Sequence, residues 1–228
     1  MAKIASVLAL GTRTDAETFE NGCTTLGFKP VESLREPSPT MAALRGWFGT
    51  KPDWIYFGGH FDEMKLFNEG DTVSIEFKPK RVNLQVGSAK AFFTKGGKFF
   101  KLDANPQMIL WGGCSVCDTS GQMNTMRKLF GKHVLLGVSG STSATVINAM
   151  LGGGAIPGGK VIPASDHFFG RVTGNINPKG IRDAWMETAK FYVANSSGEY
   201  RGFRAVDPDG QVWKIDSSGN VVKGSKVT

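Results

Sequence analysis

Apolar residues in this chain come in short unbroken runs, and most of the runs close on glycine. "KIASVLALG" (3–11), "DWIYFGG" (53–59), "QMILWGG" (107–113) and "HVLLGVSG" (133–140) are too short for helices and too continuous for strands with one wet face. They read as β-strands covered on both faces, the habit of a parallel sheet. Between them lie stretches with helical spacing. "TDAETFENGCTTLGF" (14–28) has Thr14 or Asp15 as its cap candidate and an acidic first turn. "SPTMAALRGWFG" (38–49) has Pro39 at its first position and Gly49 at its end, and "SGQMNTMRKLFG" (120–131) follows the third run. "PVESL" (30–34) is a plausible short strand. Strand alternating with helix predicts an α/β fold with right-handed crossovers.

Two regions break the rhythm. Residues 70–105 alternate polar and apolar, with two aromatic runs around the "KGGK" turn, which predicts antiparallel hairpins inserted between parallel strands. After the helical stretches "DHFFGRV" and "PKGIRDAWMETAKFYVAN" (178–195), the tail carries "PDGQ" and "SSGN" as hairpin turns. The division expected is therefore one main domain over 1–200, with the insertion at about 70–105. A β-hairpin appendix over 201–228 packs on the same domain.

Composition changes this picture little. Hydrophobic residues make up 40% and charged residues 21%, which excludes general disorder. The net charge of +7 would suit nucleic acid, but the basic residues are scattered and no aromatic-basic signature accompanies them, so nucleic acid is not the expected partner. The opening "MAKIASVLALG" reads as a first strand rather than a signal peptide, and no run approaches a membrane span. Three cysteines, Cys23, Cys114 and Cys117, do not make a disulfide framework, so the expectation is a soluble protein in the reducing cytoplasm.

The candidate chemistry sits where two of the apolar runs end. "WIYFGGHFDE" delivers His60 after a Gly-Gly, and "MILWGGCSVCD" delivers Cys114 after another. Ligand sites of open α/β sheets lie beyond the carboxyl ends of the strands, and a thiol beside an imidazole is an activated nucleophile. On neighbouring strands these residues form a Cys–His dyad, with backbone N–H groups of the glycine-rich turn available to an oxyanion.

At these residues the chain resembles the caspase-like clan of cysteine peptidases, which includes caspases, legumains, gingipains, clostripain and the CHAT peptidases. "IYFGGHF" looks like the clan's histidine block and "ILWGGCSVCDTSG" like its cysteine block. "HVLLGVSGS" is similar to the next core strand, and "IRDAWMETAKFY" to a late helix of the CHAT and gingipain branches. The resemblance runs from residue 3 to about 194. It implies a caspase-like three-layer sandwich with a mainly parallel sheet, and a cysteine endopeptidase acting on a polypeptide substrate without a cofactor. A regulatory protein partner is a further expectation. Cys114 would attack the scissile carbonyl and His60 would protonate the leaving amine. The N–H groups of Cys114 and Phe61 would form the oxyanion hole, although the clan usually has glycine where Phe61 stands. Substrate-pocket candidates are the acids Asp62, Glu63 and Asp118, which would favour a basic residue, and Ser139 and Ser141, which would suit a small or polar one.

Rival readings remain open beside this one. The same cleft without chemistry would make a peptide-binding module. Cys114 and Cys117 spell C-x-x-C, the pattern of a thiol–disulfide oxidoreductase. A zinc site would need His133 or His167 to converge on those cysteines. His133 reads as a surface or strand-edge residue. His167 has Asp166 beside it, a pairing that would raise its pKa and make it the competitor of His60 as base. "GAIPGGKV" (154–161) fails as a phosphate loop because Val161 replaces the hydroxyl that would hold magnesium, and "DPDG" (207–210) is a turn rather than a calcium loop.

Overall fold

The computed structural model describes residues 3–9, 13–30, 33–35, 41–59, 64–69, 72–77, 80–87, 90–95, 98–102, 106–154, 161–196 and 198–228. Strands β1 (Ile4–Ala9), β2 (Lys29–Pro30) and β3 (Trp54–Gly58) alternate with helices α1 (Thr14–Thr25) and α2 (Met41–Gly49). Five strands follow as a meander: β4 (Met64–Glu69), β5 (Thr72–Phe77), β6 (Lys80–Gly87), β7 (Lys90–Lys95) and β8 (Lys98–Leu102). The chain then returns through β9 (Met108–Trp111), α3 (Ser120–Phe130), β10 (Val134–Val138), α4 (Ala144–Leu151), α5 (Phe168–Val172) and α6 (Pro178–Asn195). It closes with β11 (Phe203–Val206), β12 (Gln211–Ile215) and β13 (Val221–Lys226).

The central sheet has the order β2-β1-β3-β9-β10-β11-β12-β13. It is parallel from β2 to β10 and antiparallel from there to β13. The unbroken apolar runs have a direct cause, since both faces of these strands are covered. Val7, Trp54, Tyr56, Leu110 and Leu136 join the core formed with α1, α4, α5 and α6. The alternate residues point the other way, where Phe57 meets Trp47 of α2, Trp111 and Phe130 of α3. Helices thus cover both faces, as parallel strands require.

The insertion begins earlier than the alternating pattern suggested. Its first strand starts at Met64 rather than near 70, and the five strands form an antiparallel sheet of their own that rests against α3 and α2. Around "KGGK", β7 and β8 pair with Lys95 opposite Lys98. Helix α1 also starts differently. Arg13 occupies the cap position without a side-chain cap bond, and the expected cap Asp15 lies inside the first turn, fully buried. Pro39, expected at the start of α2, lies outside the described residues. The short strand expected over 30–34 reduces to the β2 pairing and a single bridge from Leu34 to Leu8.

The tail strands continue the main sheet. β11 pairs with β10, Leu136 lying opposite Ala205. Helix α6 buries Ile181, Trp185, Ala189 and Tyr192 along one stripe and covers the junction. The Trp185 indole N–H donates to the Arg204 carbonyl at 3.1 Å, and its ring meets Phe168 and Phe203. Farther out, Arg182 stacks over Trp213 at 4.3 Å and pairs with Asp207 at 3.0 Å, while the Trp213 N–H donates to the same carboxylate. Replacing the fully buried Trp185 with alanine opens a cavity and removes that indole hydrogen bond. The expected loss is about 3–5 kcal/mol in a urea titration, against about 2 kcal/mol for Arg182→Ala, whose mostly buried guanidinium is paired with Asp207.

Candidate functional site

The parallel strands end on a common edge. Trp54 lies opposite Met108 and Phe57 opposite Trp111, and the pairing extends one step further, Gly112 N–H donating to Phe57 O at 2.7 Å. The glycines that follow β3 and β9 have a specific reason to be there. A Cβ on Gly112 would sit 2.2 Å from the Tyr56 hydroxyl, and one on Gly58 would sit 2.7 Å from the Tyr56 ring. Tyr56 is fully buried and donates its hydroxyl proton to Asp15. Asp15 also accepts from Arg13 Nε at 3.0 Å, from Arg13 Nη2 at 2.7 Å and from its neighbour Ala16 N–H at 3.0 Å. Arg13 Nη2 then reaches the Gly112 carbonyl at 3.2 Å. One buried carboxylate therefore ties the start of α1, strand β3 and the turn after β9 together. Burial, followed by the charge of Asp15, pushes the Tyr56 hydroxyl well up. Burial works against the Arg13 cation, but the hydrogen bond and charge of Asp15 outweigh it and hold the guanidinium above its usual range.

That turn presents Cys114, half-buried, with its sulfur engaged by both backbone groups of one residue, Thr142. The thiol donates to Thr142 O at 3.1 Å, and Thr142 N–H donates to the sulfur at 3.2 Å. Ser115 follows at φ +58°, in the left-handed region that residues with a Cβ rarely adopt. Its N–H donates to Gly140 O at 2.8 Å, and Cys117 N–H donates to Val138 O at 3.0 Å, so the turn is stitched to the end of β10 and the loop beyond it. Ser141, Thr142, Ser143 and Val146 line a cleft of about 210 Å³ on that loop, adjoining Cys114 through Thr142. The N–H of Cys114 donates to no group among the described residues. The arrangement offers a half-buried sulfur, a backbone N–H beside it that has no acceptor among the described residues, and a polar cleft, which are the parts that acyl transfer to a thiol uses.

The remaining sequence candidates distribute as follows. His60, Phe61, Asp62 and Glu63 lie outside the described residues. Asp118 accepts from Gly140 N–H at 2.6 Å, clamping the two loops together. Partial burial raises its pKa, but the hydrogen bonds from Ser115, Gly140 and Ser139 outweigh that and hold it below the usual range. Ser139 donates its N–H to Gly202 O at 2.8 Å, and Ser141 is an exposed residue of the cleft. Cys117 is buried against Gly137, where a Cβ would lie 2.9 Å from its sulfur, and burial pushes its thiol up to about 12. Cys23 is buried in α1, with its pKa raised by the same cause.

Two histidine expectations are corrected. His133 is not at the surface. It is fully buried at the amino end of β10, opposite the edge that carries Cys114, with Nδ1 2.8 Å from Gly131 O. His167 does not pair with Asp166, whose carboxylate takes Arg171 at 2.7 Å instead. Its Nδ1 faces Ala149 O and Tyr192 OH among the helices. Neither can serve Cys114, and no group of three or more His, Cys, Asp or Glu is placed to hold a metal among the described residues. Arg13, Asp15, Tyr56 and Thr142 were not singled out as site residues. The signal for the first two was the charged "RTD" directly after a buried strand, which capping rules absorbed. Comparison with models of protein families, with curated proteins and with solved structures finds no match to this chain.

Two measurements check this geometry. Asp15→Ala leaves Arg13 and Tyr56 without their shared partner and is expected to cost about 3–5 kcal/mol in chemical denaturation. A retained midpoint would mean that the carboxylate holds nothing. Burial lowers the His133 imidazole from 6.5 to about 4, aided by the nearby Arg127 charge, and Nε2 has no partner among the described residues. The unfolded chain therefore binds this proton first, so stability is full above pH 6.5 and declines as pH falls toward 4, by roughly 3 kcal/mol. His133→Gln is expected to flatten that part of the stability–pH curve relative to the parent protein.

Proposed function

We propose that this chain is a caspase-like cysteine endopeptidase with Cys114 as nucleophile and His60 as its acid–base partner. The observation that carries the reading is the contrast among the cysteines. Cys114 alone is half-buried, at the carboxyl edge of the parallel sheet and beside a cleft, whereas Cys23 and Cys117 are buried thiols. The strand order supports His60 as the partner. In the sequence His60 comes two residues after the end of β3 and Cys114 three residues after the end of β9, and these two strands are hydrogen-bonded neighbours. The other two histidines are buried and engaged elsewhere.

In this reading the Cys114 thiol passes its proton to His60, the sulfur attacks the scissile carbonyl carbon, and the carbonyl electrons move to oxygen. The Cys114 N–H, with that of Phe61, receives the oxyanion. When the C–N bond breaks, the amine leaves with a proton from His60, and a thioester remains on Cys114. Water, deprotonated by His60, then attacks the thioester, releasing the carboxylic acid and regenerating the thiol. The hydroxyl-lined cleft of Ser141, Thr142 and Ser143 favours a small or polar side chain next to the scissile bond over a basic one, since Asp118 is engaged with Gly140. The redox reading is the weaker one, because a buried thiol with a raised pKa makes a poor partner for exchange.

The test is labelling with acyloxymethyl-ketone probes of varied P1 residue. Labelling is expected to vanish in Cys114→Ala, persist in Cys117→Ala and slow by about 10²-fold or more in His60→Ala. Folded protein that no probe labels would overturn the peptidase reading in favour of a non-catalytic peptide-binding cleft. Equal loss in both cysteine variants would point to thiol exchange.

A further inference from the structure

A second cavity, of about 300 Å³, opens within the helical layer, between α1, the C-terminal end of α4 and the start of α5. Its walls are largely apolar, formed by Leu26, Leu151, Phe169 and the backbone of three glycines. Three threonines also line it, but each hydroxyl is already engaged. Thr18 donates to Asn148 Oδ1 at 2.6 Å, Thr25 to Asn21 O at 3.0 Å and Thr173 to Phe169 O at 2.9 Å. No lining residue among those described carries a formal carboxylate, ammonium or guanidinium charge. One buried polar side chain remains, His167, only 7% exposed.

The hydrogen bonds of His167 set its tautomer. Tyr192 OH donates to Ala149 O at 2.6 Å, so its one proton is committed, and His167 Nδ1 lies 3.0 Å from that same carbonyl and 2.8 Å from the hydroxyl. Both neighbours of Nδ1 are therefore acceptors, and Nδ1 carries the proton. In the neutral ring Nε2 is then an acceptor, and no described residue donates to it. The His167 side chain packs beside Gly152, where a Cβ would sit 3.3 Å from its Cβ and 3.4 Å from its Cγ.

We propose that this cavity is a binding site for a small uncharged apolar molecule carrying one hydrogen-bond donor, a phenol or an alcohol, which donates to His167 Nε2. The size is at the lower end of small-molecule sites, and the lining is largely apolar, with His167 the one buried polar side chain beside the exposed Asn21 and the three bonded threonine hydroxyls. It is built independently of Cys114 and does not rest on the peptidase reading.

Phenol and toluene, nearly equal in shape and differing in the hydroxyl, make the test. Nitrogen-detected NMR of the imidazole and amide spectra follow each titration. Phenol is expected to shift His167 Nε2 and the Gly22 and Gly152 amides saturably, at about millimolar concentration for so few atoms. Toluene should bind at least tenfold more weakly, and His167→Phe should remove the difference. Thr25→Phe fills the cavity from the exposed face of α1 without touching the histidine, and should abolish both sets of shifts while His167 keeps its Nδ1–H signal. Equal binding of the two probes, phenol binding that survives Thr25→Phe, or no saturable shift with either probe would each overturn the proposal.

Discussion

A single buried carboxylate organises the edge of the sheet on which the candidate chemistry stands. Asp15 is inaccessible to water, so it must find its partners within the protein, and it finds all of them: a guanidinium, a phenol and a backbone N–H. A buried charge is tolerated only when its lone pairs are satisfied in this way. Because Arg13 also holds the Gly112 carbonyl, satisfying Asp15 positions the turn that carries Cys114. Gly58 at the end of β3 and Gly112 after β9 follow from the same constraint, since the Tyr56 side chain needs the space that their Cβ atoms would occupy.

Around that edge the turn after β9 and the loop after β10 behave as one unit. Ser115 and Cys117 donate to the β10 side, Gly140 donates back to Asp118, and Thr142 meets the sulfur with both its backbone N–H and its carbonyl. The left-handed Ser115 backbone is the strained element of this unit. Cross-loop hydrogen bonds are what hold a residue with a Cβ in such a conformation. Helix α4 leaves this unit at Ser143, whose side chain caps it by accepting from Val146 N–H, and ends at Gly152 against His167. The two cavities thus lie at opposite ends of one short helix.

What was legible in the sequence follows from periodicity. Continuous apolar runs ending on glycine identified β1, β3, β9 and β10, because strands buried on both faces leave no polar positions to confuse the pattern. Helix α6 was equally plain, with Asn177 capping it, Pro178 at its first position and a buried stripe at helical spacing. The alternating stretch announced the meander, but its first strand was missed because "MKLFNE" (64–69) follows directly on the charged residues after His60. Local rules also misread Asp15. An acid at a helix start is an ordinary cap, and nothing nearby in sequence reveals that Tyr56, far along the chain, will claim it instead.

By itself, then, the sequence determined the class of fold, the strands that end on Cys114 and the helices between them, because those depend on local hydrophobic pattern and turn chemistry. Only the tertiary structure decided which polar groups face inward. It buried His133 and Cys117, turned Asp166 to Arg171 rather than His167, joined β11 to β10, and aimed Thr142 at the sulfur. Each of these is a contact between residues distant in the chain, set by sheet order and helix packing, and no local propensity encodes it.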